Sequence, residues 1–221
     1  MKHQELLSPL DNRYSKKIIE LANNFSETNL NKTRFEIEID WVIFLTTHCG
    51  KNFKPLSSAA KKNLLAIRKS FDGKSAKRIK TIESKTNHDV KAVEYFIREE
   101  MNKFSNLKKY QHLVHFALTS EDVNSLSYAV LLRDAKEIYI KKIDILIRDL
   151  NSKSKSWATL PLLAKTHGQA ASPSTIGKEI KVFHQRLLRQ KEKIKKMIPM
   201  AKFGGATGNF HTLNLSDVNI N

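Results

Sequence analysis

The chain has 221 residues, enough for one large or two small domains with an apolar core, and its 40% hydrophobic and 28% charged residues are ordinary for a globular protein. A single cysteine, Cys49, excludes an internal disulfide, and no apolar run approaches membrane-spanning length. With no apolar stretch after Met1-Lys2-His3-Gln4-Glu5, the expectation is a cytoplasmic protein without membrane partners.

A formal charge of +17 at pH 7 points to an anionic partner, whether nucleic acid, membrane surface or phosphorylated metabolite. The lysines are spread along helical segments. Their densest group (Lys191, Lys193, Lys195, Lys196) lacks the interleaved aromatics of a base-stacking groove. The charge alone decides little, and nucleic acid is not the expected partner.

The chain opens with Ser8-Pro9-Leu10-Asp11-Asn12-Arg13-Tyr14, a loop whose guanidinium and phenol suit a phosphate. From Phe25 to Cys49 a strand-like alternation competes with a helical face of Ile37, Trp41, Phe44 and His48; length favours the helix. A second helix is expected within Phe53 to Ser75, with Asp72-Gly73 near its end.

Thr86-Asn87-His88-Asp89 precedes Val90, Val93, Ile97 and Met101, and Thr119-Ser120-Glu121-Asp122 precedes Val123, Leu126, Val130 and Leu131. Each fits the Ser/Thr-x-x-Asp/Glu start of a helix, with an acid in the first turn to complement the dipole. The second helix is expected to reach about Leu150 (a length that packs lengthwise in a bundle). His112 and His115 are spaced for a shared helix face, but no third ligand with metal-site spacing accompanies them, and no metal is expected.

Five of seven glycines and three of five prolines lie between Pro161 and Gly208. There Thr166-His167-Gly168-Gln169 reads as a polar turn, and Ser172-Pro173 as the cap and first residue of a long helix striped by Ile176, Ile180, Phe183, Leu187, Ile194 and Met197. An imidazole beside a helix start could move protons on an anionic substrate. Gly204-Gly205-Ala206-Thr207-Gly208-Asn209 is a glycine-rich turn after a helix, unlike a nucleotide loop after a strand, and no P-loop, dinucleotide fingerprint or nucleophile elbow occurs.

Together Ser8 to Tyr14, Thr86 to Glu94, His115 to Asp122, Thr166 to Glu179 and Gly204 to Asn209 resemble, in that order, the adenylosuccinate lyase family of the fumarase/aspartase superfamily, in its bacterial purine-biosynthesis branch. The resemblance implies an all-α fold, with an N-terminal helical domain over 1–110 and the first long helices of a central helical bundle over 111–221. It implies a homotetramer without a cofactor that releases fumarate by β-elimination from adenylosuccinate, giving AMP, and from the succinylated aminoimidazole carboxamide ribotide. On the same grounds His167 is the general acid; Arg13 and Tyr14 hold the phosphate end of the substrate; and Asn87, His88, Asp89, Thr119 and Ser120 contact the rest. Asn12 stands where the family has Gly, and Ala170 where Pro is common. The mobile loop Gly-Ser-Ser-x-Met-Pro-x-Lys-x-Asn, source of the family's serine base, is absent from this chain. The expectation is an N-terminal portion, inactive alone; a catalytically dead interaction remnant and a basic nucleic-acid binder are the alternatives.

Overall fold

The computed structural model describes residues 8–49 and 52–215. The elements are α1 (Ile19–Phe25), α2 (Glu27–His48), α3 (Ser58–Lys69), α4 (Gly73–Thr86), α5 (Asp89–Asn102), α6 (Ser120–Ser156), β1 (Pro161–Thr166), β2 (Gln169–Thr175), α7 (Ile176–Lys196) and α8 (His211–Leu215), with short 3-10 turns at Pro9–Asp11, Ser15–Lys17 and Lys108–Leu113. The fold is helical throughout apart from one two-stranded ribbon, as expected. Among the described residues no helix is long and apolar enough to cross a membrane. The chain falls into two compact units: Met1–Leu131 with Pro199–Asn221, and Leu132–Ile198.

In the first unit, α2 supplies the central column of the core through Phe35, Ile39, Val42 and Leu45, all fully buried. Around it pack Leu64 and Ile67 of α3, Ile79 of α4, and Val93, Ile97 and Met101 of α5. Spacings of three and four put these residues on one face of each helix. The face marked by Ile37, Trp41, Phe44 and His48 is not the core face. It is a half-buried aromatic strip in which Trp41 stacks on Phe44 and Phe44 on His48, at 5.5 and 4.8 Å between ring centres. Helices α4 and α5 fold back on each other, and the Arg78–Glu99 ion pair lies symmetrically about their turn.

The single helix expected within Phe53 to Ser75 ends at Lys69 instead. Asp72 begins the next one: its Oδ1 accepts from the N–H groups of Lys74 and Ser75, while Ser75 Oγ takes the Asp72 N–H. An acid before glycine here is an N-terminal cap, not a C-terminal stop.

The second unit contains the distal part of α6, the β1–β2 ribbon and α7. Helix α6 extends to Ser156, six residues past the expected Leu150. Ser172 and Pro173 do not open a helix; they lie in β2, where Pro173 pairs with Leu163. A two-stranded ribbon leaves an outward edge that tolerates a residue with no N–H. The cap is Thr175, whose Oγ1 accepts from the Lys178 N–H at 3.2 Å. On α7 the buried positions are Gly177 and His184. Of the expected stripe, Phe183 and Met197 are exposed.

Candidate active site

The turn between α4 and α5 is built from Asn87 and His88. Asn87 ends α4 in the left-handed conformation (φ 49°), one of the few non-glycine residues suited to it. His88 caps α5, its Nδ1 accepting from the Lys91 N–H at 3.2 Å. That role needs an unprotonated Nδ1 and leaves Nε2 as the ring's remaining donor. Thr86, the expected cap, instead donates its hydroxyl to the His88 carbonyl.

Asp89 follows in the first turn of α5, and Arg34 NH2 meets its Oδ2 at 2.7 Å. Partial burial opposes ionisation of Asp89, yet the Val90 N–H and the Arg34 guanidinium hold its carboxyl below the usual value. Arg34 is itself buried, and each nitrogen of its planar fork has a partner: Nε donates to Asn124 Oδ1 at 2.9 Å and NH1 to Asn31 Oδ1 at 3.1 Å, beside the NH2 contact with Asp89. Arg34 therefore ties the α4–α5 turn to the first turns of α6. Glu27, Arg34, Glu83, Asn87, His88, Asp89 and Tyr128 line an open cavity of about 470 Å³ there.

Thr119 and Ser120 begin α6. Asp122 Oδ2 accepts from the Thr119 N–H at 2.9 Å, the acidic half of the expected capping box. The same carboxylate takes the N–H groups of Gly204 and Gly205 at 3.0 and 3.1 Å and Lys202 Nζ at 2.7 Å. Burial again opposes ionisation, but Lys202 and these N–H donors hold the Asp122 carboxyl below the usual range. The glycine-rich turn is thus stitched to the Thr119–Ser120 turn. A Cβ on Gly204 would sit 3.1 Å from Gly208 Cα.

Arg13 and Tyr14 lie in the exposed turn before α1, the guanidinium 5.5 Å over the phenol ring. They touch one another but do not line the cavity. His167 belongs to the second unit. It sits at the tip of the β1–β2 ribbon with Gly168, both at positive φ (53° and 77°), the geometry of a two-residue type I′ hairpin turn. The imidazole is exposed and is not beside a helix start, contrary to expectation; α7 begins at Ile176. A chain segment that reads as a loop before a helix is in fact a ribbon, because Leu162 and Ala164 alternate with outward-facing neighbours.

Sequence reasoning missed Arg34, Asn124, Lys202 and Glu38. The available signal was charge beside the core face: Arg34 and Glu38 lie four residues apart, each directly before a fully buried apolar residue, Phe35 and Ile39. Among the described residues no group of three or more His, Cys, Asp or Glu is placed to hold a metal ion.

These helices and polar turns form a lyase-like helical fold. A fumarate lyase from Mesorhizobium matches with a TM-score of 0.72 at 16% identity, over 88% of this chain and 44% of that one. A β-carboxy-cis,cis-muconate cycloisomerase from Acinetobacter calcoaceticus matches at 0.70 and 17%, with the same coverage. At that identity the likeness is one of fold. Residues 12–219 match the sequence model of the lyase family, and the chain belongs to that family. Over 207 residues it is 41% identical to adenylosuccinate lyase of Haemophilus influenzae and 40% identical to that of Escherichia coli. Each match covers 93% of this chain, which spans 45% of the length of either relative.

Proposed function

We propose that this chain carries part of the active site of an adenylosuccinate lyase, acting on adenylosuccinate and on the succinylated aminoimidazole carboxamide ribotide. The observation that carries the reading is the Arg34 fork, which ties the Asn87–His88–Asp89 turn to Asn124 of α6 beside a cavity that this turn lines with Tyr128, although Thr119 and Ser120 are not in its lining. The names of the relatives supply the substrate.

The chemistry assigns the roles. Removing a proton beside a carboxylate leaves carbanion-like charge, and expelling the purine nitrogen requires a proton donor. His167 is the donor in this reading; it is exposed at the tip of a two-residue turn. Asn87, His88, Asp89, Thr119 and Ser120 position the succinyl and purine parts, while Arg13 and Tyr14 take the phosphate. The base is the serine of a loop this chain does not contain, so the 221-residue chain binds substrate without turnover. The working enzyme is a cytoplasmic homo-oligomer.

Calorimetric titration of the purified chain tests this. Saturable adenylosuccinate binding, weakened about tenfold by Asn87→Ala or Ser120→Ala with no fumarate released, is the expected result. Fumarate release by the chain alone, or indifference to adenylosuccinate with salt-sensitive binding to unrelated duplexes, would overturn it.

A further inference from the structure

The segment that delivers Thr119 and Ser120 is strained. His115 and Ala117, neither a glycine, both have left-handed backbones, with φ of 62° and 60°. Such backbones are costly for residues with a Cβ and persist only where their surroundings over-determine them. Here the surroundings are two side chains of α2, three residues apart on one face. Glu38 takes the His115 N–H on Oε2 at 2.9 Å and the imidazole Nδ1 on Oε1 at 2.5 Å. Trp41 Nε1 donates to the Phe116 carbonyl at 2.9 Å. The Leu118 N–H then closes back onto the His115 carbonyl at 3.2 Å.

Glu38 is fully buried, and a buried carboxylate is costly unless paired and hydrogen-bonded. On the other side of the ring, Glu94 Oε1 stands 3.7 Å from His115 Nε2, and Glu94 Oε2 is met by Lys91 at 2.8 Å and Arg98 at 3.7 Å. The charged groups facing the imidazole are therefore Glu38 from α2 and Glu94, Lys91 and Arg98 from α5. None of them lines the cavity at the α4–α5 turn.

We propose that Glu38 is a positioning residue: acting through His115, it holds the strained His115–Ala117 turn so that Thr119 and Ser120 are presented to substrate. The substrate half of this statement rests on the function proposed above; the geometric half does not. With Glu38 in place, the turn has one conformation and the two hydroxyl residues start α6 already ordered. With an amide in its place a single acceptor oxygen remains for the two donors of His115, the backbone N–H and the protonated Nδ1, and the ring's other partner, Glu94, lies at longer range.

The test uses Glu38→Gln, which keeps the shape of the side chain, and Glu38→Asp, which keeps the charge on a shorter stem. In Glu38→Gln, amide exchange at His115, Leu118 and Thr119 is expected to speed up about tenfold or more while Leu64, Ile79 and Ile97 keep their protection. The His115 imidazole is expected to titrate at lower pH, followed by its ring resonances. Adenylosuccinate affinity is expected to fall about tenfold in Glu38→Gln and to recover in part in Glu38→Asp. Unchanged exchange at the turn would overturn the proposal. So would loss of protection at Leu64, Ile79 and Ile97 in equal measure in both variants, since Glu38 would then serve the core as a whole. A wild-type chain that ignores adenylosuccinate would sink the substrate half alone; exchange and titration still decide whether Glu38 sets the turn.

Discussion

Asp122 and Lys202, eighty residues apart in sequence, meet at 2.7 Å, and around that pair the glycine-rich turn is laid against the first turn of α6. The carboxylate is almost wholly buried and is also the acceptor for three backbone N–H groups. An amide cannot replace it, since its NH2 would face donors. Asp122→Asn is expected to destabilise the first unit by about 2–3 kcal/mol, read from the urea midpoint. The sign of its pH dependence follows from the lowered carboxyl. The stabilisation is present above the unfolded value of about 3.9 and is lost as pH falls through the lower folded value.

His115 gives the opposite dependence. Burial pushes its imidazole down, but the hydrogen bond and charge of Glu38, with Glu94 beyond, more than compensate and raise it. Its stabilisation is complete below about 6.5 and is lost as pH rises through the higher folded value. The urea midpoint of wild type should therefore fall as pH rises from 6 to 9, and His115→Gln should flatten that slope.

Arg34→Lys should be far from conservative. A lysine ammonium cannot reach Asn31, Asn124 and Asp89 at once with the geometry of the planar fork. A loss of about 1–3 kcal/mol is expected, with weakened adenylosuccinate binding in the same titration.

His167→Asn should separate stability from chemistry. Asparagine is preferred at the first position of a type I′ turn, so the ribbon should tighten by a few tenths of a kcal/mol, about 0.5 at most. Proton donation would be lost. Paired with a complementary polypeptide that restores turnover to wild type, this variant should release no fumarate while its thermal midpoint holds or rises.

Gly177→Ala tests the second unit. A Cβ there would lie 2.4 Å from the Ser154 carbonyl oxygen and 2.7 Å from Ala158 backbone atoms, so α7 must move away. A cost of about 1–3 kcal/mol is expected from thermal unfolding.

How much of this was legible in the sequence depends on whether the signal was local. The face of α5 could be read from Val90, Val93, Ile97 and Met101, all fully buried, because 3.6-residue spacing survives any tertiary context. The polar turns at 87–89 and 119–122 could also be read, although the cap falls on His88 and not Thr86. The ribbon could not: Ser-Pro before a helical stripe is a good start signal, and only pairing with Leu163 shows that Pro173 is in a strand. Nor could Arg34 or Glu38 be given partners, since Asn124 and His115 lie 90 and 77 residues away.

The two-residue tip at His167 and Gly168 limits how this ribbon can drift over time. Strand residues alternate sides, so one residue inserted between Thr166 and Gln169 would send everything after it to the opposite side of the ribbon. Lengthening in twos preserves the alternation but lifts the imidazole away from the body that supports it. Natural variants should therefore keep this tip at fixed length even where the flanking strands change freely.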